Sequence, residues 1–139
     1  MSTTRFQKVG HKVASDLDQF PIVTDSKTQL MWDRRETSSM THEEAVAHIV
    51  QLNKDKFGGF ADWRLPECDE LLTLVDRTKH EPAVDTDAFP DCKSSWYWSA
   101  TSAAYSPADC AWLVYFYDGD CGWGSRSNYG FVRAVRVSQ

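Results

Sequence analysis

The stretch Asp62-Trp63-Arg64-Leu65-Pro66-Glu67-Cys68-Asp69-Glu70-Leu71-Leu72 opens the second of two helices, which stand between an N-terminal hairpin and a strand-rich end. Pro66 suits the first position of a helix, where the N–H that proline lacks would go unbonded anyway. Glu67, Asp69 and Glu70 place negative charge at the positive end of that helix dipole. Cys68, Leu71, Leu72 and Val75 then recur at i, i+3, i+4 and i+7, which makes one apolar face. Cys68 is thereby turned toward the core, where a thiol behaves as a small hydrophobe.

Upstream, Thr41-His42-Glu43-Glu44 is a capping box: the Thr41 hydroxyl can accept the Glu44 amide, and the Glu44 carboxylate reaches back. Ala45, Ile49 and Leu52 follow at helical spacing, so a first helix is expected over 42–55, ended by Gly58-Gly59. Before it, residues 20–23 and 29–32 flank the polar turn Asp25-Ser26-Lys27-Thr28 and read as strand, turn, strand. Residues 1–19 are polar and irregular, an arm or short edge element. Downstream, residues 96–100, 112–117 and 131–137 are rich in aromatic and β-branched side chains, and Asp118-Gly119 marks a turn. Hairpin, two helices and a strand-rich end specify an α+β class: two helices on a twisted antiparallel sheet with long irregular loops. A length of 139 residues suits one such domain, spanning 20–139.

The net charge of −5, without a basic block, argues against nucleic acid, whose sequence-independent binding needs Lys and Arg to release counterions. It argues equally against docking on an anionic membrane. No apolar run approaches the roughly 20 residues that span a bilayer. The start, Met1-Ser2-Thr3-Thr4-Arg5, has no signal-peptide pattern. The expected location is therefore cytoplasmic, or surface- or virion-associated within a larger assembly. The four cysteines, Cys68, Cys92, Cys110 and Cys121, read as thiols by default in that setting.

Six ordered motifs carry a resemblance. They are Thr28-Gln29-Leu30-Met31-Trp32, the helix with Glu44-Ala45, Asp62-Trp63-Arg64-Leu65-Pro66 with Glu70-Leu71, Phe89-Pro90, Trp96-Tyr97-Trp98-Ser99-Ala100-Thr101 and Val132-Arg133-Ala134-Val135-Arg136. Over about residues 20–137 the chain resembles the DUF1566 or Lcl C-terminal domain family, named after a collagen-like bacterial adhesin. The resemblance implies a C-type-lectin-like fold related to the formylglycine-generating enzymes, in proteins largely of bacteria and phages. It also implies adhesin-like binding of glycans or surfaces; related domains serve as variable binding proteins. Gln29 stands where the family often has Gly, and Ala100 where it commonly has Ser. The resemblance transfers no catalytic residue.

Trp63 and Trp98 are expected to pack beneath the helices, since large rings dominate small cores. Arg64 and Arg133 are expected to hold carboxylates, with Asp62 or Glu70 as the partner that a buried Arg133 would require. The loops between the late strands differ in character. Tyr105, Asp109, Tyr117, Asp118, Asp120, Trp123, Arg126, Asn128 and Tyr129 combine rigid rings with small adaptable polar neighbours, the composition of a binding surface. They are the expected ligand-binding residues, on loops over 102–129.

A calcium site of the lectin type resembles Glu-Pro-Asn, whereas here Glu81-Pro82 is followed by Ala83; Asp85, Asp87 and Asp91 read as solvated acids. No Cys-x-x-Cys knuckle offers a zinc site. No metal or cofactor is therefore expected. Cys110 and Cys121 flank a predicted hairpin strand and are candidates for approach to each other.

The expected function is a non-catalytic recognition module for a protein or glycan ligand. The alternative is a free-standing intracellular protein, of the phage-encoded kind, that docks on and inhibits a host protein. A minor alternative is a thiol- or copper-dependent oxidase resembling the formylglycine-generating enzymes. Against that reading, all four histidines fall within the first 80 residues, away from Cys110 and Cys121.

Overall fold

A computed structural model describes residues 5–10 and 20–138 of the chain. The expectation for residues 1–4 and 11–19 falls outside the described residues. Strands β1 (Phe6–Val9), β2 (Ile22–Asp25), β3 (Leu30–Asp33) and β7 (Val135–Val137) form an antiparallel sheet in the order β1-β2-β3-β7. Strands β4 (Trp96–Ser102), β5 (Cys110–Tyr115) and β6 (Asp120–Ser125) form a second antiparallel sheet in sequence order. Helices α1 (His42–Lys54) and α2 (Cys68–Leu72) lie between them in the chain. The class is α+β as expected, with two sheets where one was expected.

Each local prediction has a physical outcome. The Thr41 capping box forms: Thr41 Oγ1 accepts the Glu44 N–H at 3.3 Å, and Glu44 Oε1 accepts the Thr41 N–H at 2.9 Å. Helix α1 buries His42, Ala45, Ile49 and Leu52 along one face. Helix α2 starts later than expected. Glu67 is its N-cap, with Glu70 closing a capping box at 2.8 Å, so Pro66 lies outside the helix rather than at its first position. It also stops early: the N–H groups of Thr73, Leu74 and Val75 bond carbonyls three residues back, the tighter geometry of a fraying end. The C-terminal strand is shorter than expected, because residues 131–134 approach β4 before joining β3. A parallel bridge links Phe131 to Tyr97, and Val135 then pairs with Trp32.

Both sheets are packed on two faces, which explains the continuous burial of Leu30-Met31-Trp32-Asp33. Val23, Trp32, Val135, Tyr97 and Val114 meet α2 residues Cys68 and Leu71 in one cluster. Ile22, Met31, Trp98, Ala111 and Leu113 meet α1 and Trp63 in the other. Trp63 and Trp98 are buried as expected, with Trp98 Nε1 donating to the Met40 carbonyl at 2.9 Å.

The arginines form a paired set, with one correction. Arg64 holds Glu70 through two bonds of 2.7 and 2.8 Å, and Arg136 holds Asp62 at 2.6 and 3.2 Å. Arg133 is 2% exposed and binds neither expected partner. Its guanidinium donates to the Glu36 carboxylate and to the carbonyls of Asp33 (3.0 Å) and Arg35 (3.3 Å), and lies 4.6 Å from the Phe89 ring centroid. Tyr97 donates its hydroxyl to the same Glu36 carboxylate. The expectation failed because Arg133 precedes β7, so strand alternation does not set its direction.

Glu36→Ala leaves the Arg133 charge buried without its carboxylate and is expected to cost about 3–5 kcal/mol. Equilibrium urea denaturation measures it. Pairing the change with Arg133→Met should recover much of the loss, since the uncompensated charge is then gone.

Candidate functional site

The expected binding residues lie around the β5–β6 hairpin, but not all on loops. Asp120 and Trp123 belong to strand β6, paired through Asp120↔Tyr115 and Trp123↔Trp112. The sequence Asp-Cys-Gly-Trp-Gly-Ser has weak strand propensity, so the pairing with β5, rather than intrinsic preference, makes it a strand. The hairpin turns at Gly119, where φ is +92° and a Cβ would stand 2.6 Å from Val75 Cγ1. Only glycine fits there.

Strand β6 is the edge of its sheet, and its two faces differ. On one face Trp123 stands opposite Trp112, and its ring stacks on Tyr105 with centroids 5.0 Å apart and planes 21° apart. Both rings remain open to solvent, Trp123 at 47% and Tyr105 at 80%. On the other face β6 presents Gly122 and Gly124, which leave a groove of about 190 Å³. A Cβ on Gly122 would meet only the Trp96 ring, at 3.6 Å, and one on Gly124 would meet Asn128 Nδ2 at 3.4 Å. Trp96, Leu113, Trp123, Asn128 and Tyr129 line the groove with the two glycines.

The Trp96 wall is extended by stacking. Trp96 packs on Tyr115 at 4.5 Å, and Tyr115 on Tyr117 at 5.7 Å, giving a ladder of rings from the groove to the hairpin tip. Trp96, Tyr115, Gly122 and Gly124 were missed as site residues. The available signal was the Gly-Trp-Gly alternation, which at strand periodicity clears one face while loading the other.

The polar candidates behave differently. Arg126 is half-buried and already engaged by neighbouring loops. Its Nη2 donates to Ser102 Oγ (3.0 Å) and the Pro107 carbonyl (2.9 Å), and its Nη1 contacts His42 Nδ1 at 3.0 Å. The backbone of Arg126 donates to Asp109 O and accepts from the His42 N–H. Asp109 accepts the Ser106 hydroxyl, and Asp118 accepts the Asp120 amide, so both carboxylates brace local turns. Tyr117 lies against the His80 ring at 6.3 Å, and its phenol is held above the usual range first by a hydrogen bond to Glu81.

His42 is buried beneath this clamp, its Nε2 at 3.1 Å from the Ser99 carbonyl. That contact assigns the proton to Nε2 and leaves Nδ1 as the acceptor for Arg126. Burial, then the Arg126 charge, hold its pKa below the usual histidine value, against the opposing pull of the Ser99 bond.

Asp85, the first of the acids weighed for calcium, accepts the amides of Asp87 and Ala88. Among the described residues, no group of three or more His, Cys, Asp or Glu converges as a metal site requires. Cys110 pairs with Ser125 and Cys121 with Val114, so the two cysteines are four register steps apart. At about 3.4 Å per residue that is roughly 13 Å, beyond the ~7 Å Cα limit of a disulfide, and the suggested approach does not occur.

Because the folded His42 pKa is lowered, the unfolded chain binds this proton more readily, and its contribution to stability is present above pH ~6.5 and lost as pH falls toward the folded value. His48, lowered by burial and by Arg35, acts in the same direction. His42→Gln keeps a donor for Ser99 and removes the titration. Thermal melts across pH 5–7 (roughly the histidine range) should show a shallower decline for the variant than for the unmodified chain.

Among the described residues, no helix is long and apolar enough to cross a membrane. Among curated proteins no relative is matched. Against known protein families, residues 21–136 match the Lcl C-terminal domain, almost the whole span of strands and helices described above. The chain therefore belongs to the Lcl C-terminal domain family.

Proposed function

We propose that this chain is a non-catalytic recognition module of C-type-lectin-like fold that binds a protein or glycan ligand along the β5–β6 hairpin. The observation that carries the reading is the open glycine face of β6. Gly is a poor strand residue, yet two of them alternate here, and the space they leave is walled by rings with uncommitted faces. Among the described residues, none hydrogen-bonds the side chain of Asn128 or Tyr129, so both are open to a ligand. Tyr129 is 68% exposed, and the Tyr105–Trp123 stack continues the aromatic surface around the edge.

Rigid amphipathic rings supply contact area at low entropic cost, and the paired sheet holds them in place before a ligand arrives. Asp109 and Arg126 belong to the frame of this surface in the proposed reading, while Tyr105, Trp123, Asn128 and Tyr129 make contact. Tyr117, Asp118 and Asp120 border it at the hairpin tip. If the ligand is a protein, these exposed acids favour a basic partner, and the association should weaken with salt. That outcome would favour docking on a host protein over glycan binding.

The test compares four proteins on a glycan array and in pull-downs from bacterial lysate: the unmodified chain, Trp123→Ala, Tyr129→Ala and Gly122→Ala. The two aromatic truncations should each weaken binding about tenfold or more. Gly122→Ala should weaken it while leaving stability unchanged or raised by up to about 1 kcal/mol, because the added methyl fills the groove without a clash. Binding unaffected by all three substitutions, or lost only in proportion to stability, would overturn the assignment.

A further inference from the structure

Two cysteines far apart in sequence lie on the same side of the second sheet, the side opposite the glycine groove. Cys121 is the register partner of Val114, and partners across an antiparallel pair share a sheet face. Val114 is wholly buried in the cluster that includes Cys68 and Leu71 of α2. The same register therefore turns the Cys121 sulfur toward α2, on whose buried face Cys68 lies, and Cys121 is near enough to contribute to the raised pKa of the Cys68 thiol. The pair is asymmetric. Cys121 is exposed on the edge strand, whereas Cys68 is 8% exposed behind it.

We propose that Cys68 and Cys121 are a reactive dithiol that closes to a disulfide when it meets a low-molecular-weight disulfide such as oxidised glutathione. Accessibility sets the order of events. The Cys121 thiolate attacks one sulfur of the oxidant, forming a mixed disulfide and releasing one glutathione thiolate. Cys68 then gives up its proton and attacks the Cys121 sulfur, forming the protein disulfide and expelling the second glutathione thiolate. The two released thiolates take up the two protons lost by the cysteines. Two protein thiols are oxidised and one glutathione disulfide is reduced.

Burial, with the neighbouring thiol and acids, pushes the Cys68 thiol up to about 11, which suits a resolving partner and not a first nucleophile. Its advantage is proximity. The product ties α2 to the edge strand that carries Gly122, Trp123 and Gly124, so the cross-link would hold one border of the proposed recognition surface. The chemistry does not depend on that surface binding anything.

The experiment treats the reduced full chain with oxidised glutathione, quenches with acid, alkylates the remaining thiols in denaturant and analyses peptides by mass spectrometry without reduction. The expected result is loss of two of the four thiols, with one peptide joining Cys68 to Cys121. Cys110→Ser should give the same product. Cys68→Ala should instead accumulate glutathione on Cys121, as should Cys68→Ser if the alanine variant folds poorly. A stable glutathione adduct on Cys121 of the unmodified chain, with Cys68 still alkylated, would overturn the proposal. So would a cross-link to Cys92 or Cys110, or retention of all four thiols.

Discussion

The buried guanidinium of Arg133 is the constraint around which the rest of the fold is arranged. An isolated charge in this position would cost several kcal/mol, so the chain must bring acceptors to it. Glu36 and the carbonyls of Asp33 and Arg35 do so from the strap that leaves β3, and Phe89 and Tyr97 cover it from the long loop and from β4. Three separate segments are thereby held against the C-terminal run. That run is what joins the two sheets, bridging β4 at Phe131 and pairing with β3 at Val135. A buried ion pair adds little net stability compared with a well-packed apolar substitute, while breaking one is expensive. Its consequence here is a particular path for the chain: any arrangement that misplaces Glu36 or the strap strands a charge.

Because both sheets are packed on two faces, the strands have few side chains left with which to meet a ligand. Strand β6 is an exception, and its position explains why. It is the last strand of its sheet, lacks Leu, Ile or Val, and carries glycines where its neighbours carry Leu113 and Ala111. The scaffold therefore ends in a strand held by backbone pairing with one ring on one face and a gap on the other. Rigid placement of Trp123 and the groove follows from that pairing and needs no loop to be ordered first. An exposed strand edge also invites pairing with other chains; the exposed Asp118 and Asp120 at its start set charge beside it.

Much of the frame was legible in the sequence because it is local. A capping box and a helical apolar period are decided within a turn or two of chain, whereas Glu70, expected as a partner for Arg133, is taken by Arg64. The hidden parts depend on distant partners. Nothing near Arg133 marks Glu36, which reaches it only after the strap folds back. The sequence of β6 reads as loop because Asp, Cys, Gly and Ser carry no strand signal, and only the register with β5 supplies one. Trp96 is a strand residue as its sequence implies, yet its ring becomes a groove wall because glycines occupy the same face of β6. The suggested meeting of Cys110 with Cys121 failed for the same reason: it assumed that closeness in sequence across a hairpin meant closeness in register.

The fate of the polar candidates follows from a general demand on loops. Backbone groups in a loop have no ladder to satisfy them, so nearby side chains with hydrogen-bonding heads are drawn into that task. Arg126 and Asp118 sit where chain reversals leave a carbonyl and an amide to be met, and Asp109 accepts the Ser106 hydroxyl beside one such turn. The rings of Tyr105, Trp123 and Tyr129 perform no such service among the described residues. Their faces stay available once the core is full, and a fold that already buries Trp32, Trp63, Tyr97, Trp98 and Phe116 has no further interior for them. The rings of Tyr105, Trp123 and Tyr129 are thus displaced to the edge by the completeness of the core. Division of labour between polar frame and aromatic surface is a consequence of packing, and it leaves the surface rings free to change without unfastening the frame.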